Sequence, residues 1–180
     1  MQPTEILMEE HRVIARVLVA LETAAKNASL NQYISPDFFL KAADFIKGFA
    51  DGCHHQKEEG VLFEALIAQG LSREMGPVAV MLAEHEQGRE LTRTLHASAT
   101  QMQTGDSNAL LSVMQSALGY VALLRNHIHK EDRVLFPLAD RIIPTEQNQA
   151  ILEAFARMTK EETTQHYLAL ASELERTANG

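Results

Sequence analysis

The stretch HHQKEEGVLF, His54 to Phe63, returns in the second half of the chain as HIHKEDRVLF, His127 to Phe136. Aligned without gaps, the two share His54/His127, Lys57/Lys130, Glu58/Glu131, Val61/Val134, Leu62/Leu135 and Phe63/Phe136. Residues four apart on a helix stack on one face, one turn apart. Each copy therefore sets an imidazole beside a carboxylate and ends in an apolar Leu-Phe pair. Neutral imidazole with ionised carboxylate is a ligand set for a transition metal. One such pair is readily a surface ion pair; a duplicated one points to a shared site.

Outward from the repeat, the apolar pattern is helical. Leu7, His11, Ile14, Leu18 and Leu21 recur at spacings of three and four, which predicts a first helix from Thr4 to about Lys26. Ser35-Pro36-Asp37 is a helix start: Ser caps, Pro fits the first turn and Asp favours the positive end. The second helix runs from there to Gly70, with His54 and Glu58 on its inner stripe. A third is expected from near Ser72 to Gly105. A fourth, capped by Asp106-Ser107, carries Tyr120, Leu124, His127, Glu131 and Val134, and Pro137 distorts its last turn. Pro144-Thr145 restarts the chain as a fifth helix to about Thr177. No stretch alternates as a strand does. The expectation is an all-α fold: an up-down-up-down four-helix bundle over about 4–140, with an additional C-terminal helix over about 145–177, in a single domain spanning 1–180.

The duplication is wider than its opening motif. Glu10-His11 on the first helix matches Glu84-His85 on the third, at nearly the interval that separates His54 from His127. The repeated unit is thus a helical hairpin, and two hairpins place one inward histidine on each helix: His11, His54, His85 and His127. Glu58 and Glu131 join them. Four imidazoles and two carboxylates suit two metal ions in the bundle core, each hairpin supplying two His and one Glu. Nitrogen donors with a minority of carboxylate favour Fe, Cu or Zn over Mg or Ca. The chain has no Glu-x-x-His of the ferritin type, no His-Glu-x-x-His, and one cysteine, too few for thiolate zinc or iron–sulfur sites.

Bulk composition bounds the rest. At 180 residues and 46% apolar content the chain can build a real core, and its net charge of −8 argues against a nucleic-acid partner. No apolar run is long enough to span a bilayer, and MQPTEILMEEH does not read as a secretion signal. A lone Cys53 fits a reducing compartment, so the expectation is a cytoplasmic protein.

The segments EEHRVI, CHHQKEEGVLF, AEHE and HIHKEDRVLFPLA together resemble the bacterial hemerythrin-like, or HHE cation-binding, proteins. The resemblance spans about residues 4 to 140. It implies a non-haem di-iron centre in which His11, His54, Glu58, His85, His127 and Glu131 bind iron, with Glu58 and Glu131 bridging. Two irons per chain, carboxylate- and oxo- or hydroxo-bridged, are the implied cofactor. A departure stands at Arg89. Oxygen-carrying hemerythrins resemble this chain in their first two helices but carry a second histidine at that position, four residues after the first. With one nitrogen ligand fewer, positions on the metal are left for ligands. The implied function is binding or reduction of a small oxidant (oxygen, peroxide or nitric oxide), tied to oxidative stress and drawing on an electron donor if turnover is sustained. The alternative is an oxygen or iron sensor, or an iron-storage or iron-donor module without turnover. The resemblance leaves open whether the chain is an enzyme and whether it is a monomer or homodimer. No site for an organic substrate is visible.

The remaining polar candidates are assigned blander roles. His55 lies about 100° from His54 on an α-helix, on the flank or behind the ligands. His129 is solvated, and His96 is a partly buried structural residue too far along its helix to share the metal. Glu59 and Asp132 sit off the ligand face, solvated or behind the ligands. Glu10 and Glu84 solvate the surface or orient a histidine. Tyr120 is a core aromatic with a bonded hydroxyl. Glu162 and His166 form an exposed pair, and Cys53 is a small core residue.

Overall fold

The Ser35-Pro36-Asp37 signal works as read: the Asp37 amide donates to Ser35 Oγ at 3.3 Å, and a helix begins at Pro36. In the computed structural model, which describes residues 2–30, 32–106 and 108–179, the described residues form six helices and no strand. Helix α1 is Pro3–Ser29. Helix α2 is a continuous rod over 36–68, α3 is Pro77–Gln103 and α4 is a rod over 109–142. A short 3-10 turn at Thr145–Gln147 leads into α5, Asn148–Met158, and α6 is Glu161–Asn179.

Two boundaries differ from the sequence expectation. Helix α3 starts at Pro77 rather than near Ser72, because the Ser72 hydroxyl accepts the amides of Glu74 and Met75 and Gly76 takes a left-handed φ of 77°. The C-terminal segment is two helices, broken at Thr159, whose extended backbone ends α5. Of the Asp106-Ser107 cap, Asp106 Oδ1 accepts the Asn108 amide at 2.9 Å, while Ser107 lies outside the described residues.

Neither long rod is purely α-helical. Ile46–His55 and Glu58–Leu62 in α2, and Glu131–Leu135 in α4, are π-helical. The Glu58 carbonyl accepts from the Phe63 amide and the Glu131 carbonyl from the Phe136 amide, each five residues on. These wide turns begin at the two glutamates of the repeat, and such turns are frequent at functional sites.

Helices α1 to α4 form the bundle, with α3 against α4, α1 against α4, and α2 against α3. Helix α6 lies along α1 and α2, where Ala171, Leu174 and Ala178 join the core and Arg16 donates to Glu175. Helix α5 covers the opposite end with Ile151 and Phe155. The core divides into two apolar layers. One holds Ile14, Phe49, Leu95, Tyr120 and Leu124; the other holds Leu7, Leu62, Phe63, Leu135 and Phe136. Along every bundle helix the inward histidine falls between these layers.

Candidate metal centre

All six candidate ligands are buried between the layers: Glu58 and Glu131 at 0% exposure, His54, His85 and His127 at 1%, and His11 at 3%. Their reactive atoms face one another. Glu58 lies 3.4 Å from His54 Nε2 by one oxygen and 3.4 Å from His85 Nε2 by the other. Glu131 Oε2 lies 3.2 Å from His11 Nε2 and 3.3 Å from His127 Nε2. Each carboxylate thus spans the two histidine pairs, His11/His54 from the first hairpin and His85/His127 from the second. Two groups of donor atoms, each within 4.8 Å of one another, result: His11, His54, Glu58 and Glu131; and His55, Glu58, His85 and His127.

The repeat also builds the surroundings. The Nδ1–H of each histidine donates to a carboxylate on a neighbouring helix: His11 to Asp132 at 2.7 Å, His54 to Glu10 at 3.0 Å, His85 to Glu59 at 2.7 Å and His127 to Glu84 at 2.9 Å. Such a bond fixes the tautomer and leaves the Nε2 lone pair facing inward. Glu10, Glu84, Glu59 and Asp132 are therefore orienting groups, not surface solvation. Lys57 and Lys130 pair with Glu10 and Glu84 in turn. The Leu-Phe endings have a function in the packing: Phe63 stacks on His85 and Phe136 on His11, each covering a histidine of the other hairpin.

The donor set fits a cation. His11 Nε2, His54 Nε2 and all four oxygens of Glu58 and Glu131 are buried without a hydrogen-bond partner. Each such orphan costs on the order of 1–3 kcal/mol, so a protein retains a cluster of them only where something else compensates. His85 Nε2 and His127 Nε2 stand 3.1 Å apart. Two nitrogens about 2.1 Å from one ion, at right angles about it, are about 3 Å apart. Protons substitute for cations here. Burial alone would drive His54 neutral, but Glu58 and Glu10 hold its pKa up at about 10. Burial likewise opposes charge on His85, which Glu58 and Glu59 raise to about 9. Burial opposes charge on Glu58 too, yet the His54 and His85 imidazoles beside it hold its carboxyl well below the ordinary range. A metal entering this set displaces protons.

Several assignments change. His55, expected on the flank, is 4% exposed and belongs to the second donor group. Its neighbour Arg89 does not face the donors; it pairs with Asp51 at 2.9 Å and Glu59 at 2.6 Å. The Tyr120 hydroxyl, expected to be bonded, is buried without a partner, and burial pushes its pKa up. His96 is exposed rather than partly buried. His129, Glu162 and His166 are exposed as expected, and Cys53 is buried, which raises its thiol pKa. A cavity of about 400 Å³ opens between α2, α3 and α4, lined by Lys47, His55, His85, Gly88, Arg89 and Tyr120 among others. Nothing in the residue pattern announces it, since it is a gap between helices. Among the described residues, no helix is long and apolar enough to cross a membrane.

The fold and centre define an all-α bundle with a buried histidine–carboxylate cation site. The chain belongs to the hemerythrin HHE cation-binding domain family, whose model matches residues 2–139. It is 25% identical over 151 residues to the uncharacterized protein Rv1995 of Mycobacterium tuberculosis, covering 84% of this chain and 58% of that protein. It is 35% identical over 89 residues to the iron-sulfur cluster repair protein YtfE of an Enterobacter species, covering 48% of this chain and 40% of that one. The Escherichia coli protein of the same name is 34% identical over 89 residues. The chain therefore spans about half the length of these curated relatives. No solved structure matches it.

Proposed function

We propose that the chain holds two iron ions, one between His11 and His54 and one between His85 and His127, bridged by Glu58 and Glu131. In this reading it binds or reduces a small oxidant: oxygen, peroxide or nitric oxide. The observation that carries the reading is the sharing of the two carboxylates. Each approaches a histidine from both pairs, which is what two neighbouring cations require of anionic bridges. Iron, when bound, supplies one-electron redox chemistry and positions for an exogenous ligand. The protein does the rest. Glu58 and Glu131 offset the repulsion between two cations, and Asp132, Glu10, Glu59 and Glu84 hold the four rings in place. Phe63, Phe136 and the apolar layers exclude water, and the cavity at His85 gives a small molecule a route inward. The same reading treats residues 1–180 as one unit, because α6 buries its apolar face in the bundle core, and the lone buried Cys53 suits a reducing, cytoplasmic setting.

A second reading is an iron donor or reservoir. It is favoured by the relatives named for iron-sulfur cluster repair. Anaerobic iron loading followed by metal analysis and optical titration with oxygen, peroxide and nitric oxide separates the two. Two irons per chain with spectral change and sustained consumption of oxidant under a reductant supports the first. Two irons that pass readily to an apo iron–sulfur protein, without turnover, supports the second. One zinc per chain after iron-replete anaerobic purification overturns both.

A further inference from the structure

His55 is the imidazole that the hairpin repeat does not account for. Its counterpart in the second hairpin is Ile128, a partly buried residue packed against the core. On an α-helix it would stand about 100° away from His54. The π-helical winding of Ile46–His55, in which the Gln56 amide bonds the Asp51 carbonyl, brings both rings into the centre. The His55 ring stacks on His85 with centroids 3.8 Å apart and planes 13° apart, and meets His127 edge-on at 5.7 Å. Its Nδ1 faces Asp51 Oδ1 at 3.4 Å, and Asp51 is itself held by Arg89. Its Nε2 is buried and has no hydrogen-bond partner, and the ring offers a nitrogen within 4.8 Å of donor atoms from Glu58, His85 and His127. A buried imidazole held through Nδ1, with an Nε2 that has no partner, has the form of His11 and His54.

We infer that His55 is a fifth imidazole ligand, which makes the two metal positions unequal: His55, His85 and His127 serve one ion, His11 and His54 the other. The inference rests on the two-ion reading above. It gives Arg89 a role as well. The arginine contributes no nitrogen to the centre itself, but through Asp51 it positions the histidine that does. It also assigns the cavity a wall, because two members of the three-imidazole position, His55 and His85, line it.

The test uses the full chain loaded anaerobically with ⁵⁷Fe and examined by Mössbauer spectroscopy. The wild type is expected to hold two irons and give two quadrupole doublets of equal area. In His55→Ala one doublet shifts, iron affinity at that position falls at least about ten-fold, and added imidazole, entering by the cavity, returns the doublet to its place. His129→Ala, altered at an exposed site, leaves both doublets unchanged. A wild type with two irons whose spectrum survives His55→Ala unaltered overturns the assignment of His55 and leaves the di-iron reading standing. A wild type that takes up no iron overturns the di-iron reading and this inference with it. Should His55→Ala and His55→Gln both fail to fold by circular dichroism, pulsed EPR of the mixed-valence wild type labelled with ¹⁵N-histidine decides. Five coupled imidazoles support the inference and four overturn it.

Discussion

Glu58 and Glu59 are adjacent in the chain, yet their carboxylates meet different atoms. Glu58 is fully buried and faces the Nε2 of both His54 and His85; Glu59 is partly exposed, accepts the His85 Nδ1–H and pairs with Arg89. In the proposed di-iron reading the first touches metal and the second aims a ligand. Loss of an orienting carboxylate typically costs 10–100-fold in metal affinity, and loss of a bridging one costs more. Glu59→Ala is therefore expected to fall within about that range and Glu58→Ala beyond it, measured as iron retained against a competing chelator. A damaging Glu59→Ala beside a silent Glu58→Ala would mean that His55 with Glu59, not His54 with Glu58, forms the ligand pair of α2.

At the scale of elements, α6 docks on α2 because Gly48 has no side chain. A Cβ at Gly48 would stand 1.7 Å from the Tyr167 hydroxyl oxygen and 2.2 Å from Cζ. The Tyr167 ring packs at about right angles to Phe45, at 6.1 Å, and against Phe49 at 6.0 Å. In an unobstructed helix, Gly→Ala stabilises by roughly 1 kcal/mol. Here the overpacking cost wins, and Gly48→Ala is expected to destabilise by about 1–3 kcal/mol in urea unfolding. In a Tyr167→Ala background the clash is gone, so the same substitution becomes neutral or stabilising. A double-mutant cycle without that change of sign would show that Tyr167 does not hold α6 in place.

At the scale of the molecule, two apolar layers enclose a polar centre that no hydrogen bond within the protein fully satisfies. Metal bound by the folded chain alone stabilises it by mass action. At a free metal concentration a thousand times Kd this amounts to about 4 kcal/mol, or roughly 8–16 °C in Tm for a chain of this size. Equal melting temperatures with and without metal would remove the centre from the stability of the fold. The metal-free chain should also respond to pH on both sides. His54 and His85 have pKa values raised from 6.5 to about 10 and about 9, so the stability they contribute is complete below pH 6.5 and is lost as pH rises through 9 to 10. His55 is lowered to about 4 by burial and by the neighbouring His85, so its contribution is complete above pH 6.5 and is lost as pH falls towards 4. The depressed carboxyls of Glu58 and Glu131 add to the acid loss. The metal-free Tm is thus expected to peak near neutrality. The alkaline loss should vanish on loading, since ligating imidazoles are already neutral. A metal-free Tm still rising from pH 7 to 9 would contradict the imidazolium–carboxylate arrangement.

The sequence by itself determined the four bundle helices, the doubled hairpin and the convergence of His11, His54, Glu58, His85, His127 and Glu131. It could do so because spacing along a regular helix fixes which face a side chain takes, and a repeat checks each position against its copy. Glu10 and Glu84 were half legible: their place before a histidine suggested an orienting role, but the histidine each serves lies on another helix. His55, the cavity and the seat of α6 were decided by the tertiary structure alone. Periodicity assumes α-helical winding, and the chain around His55 is π-helical instead. The cavity is space left between three helices, and Gly48 matters only because Tyr167, far along the chain, comes to rest against it.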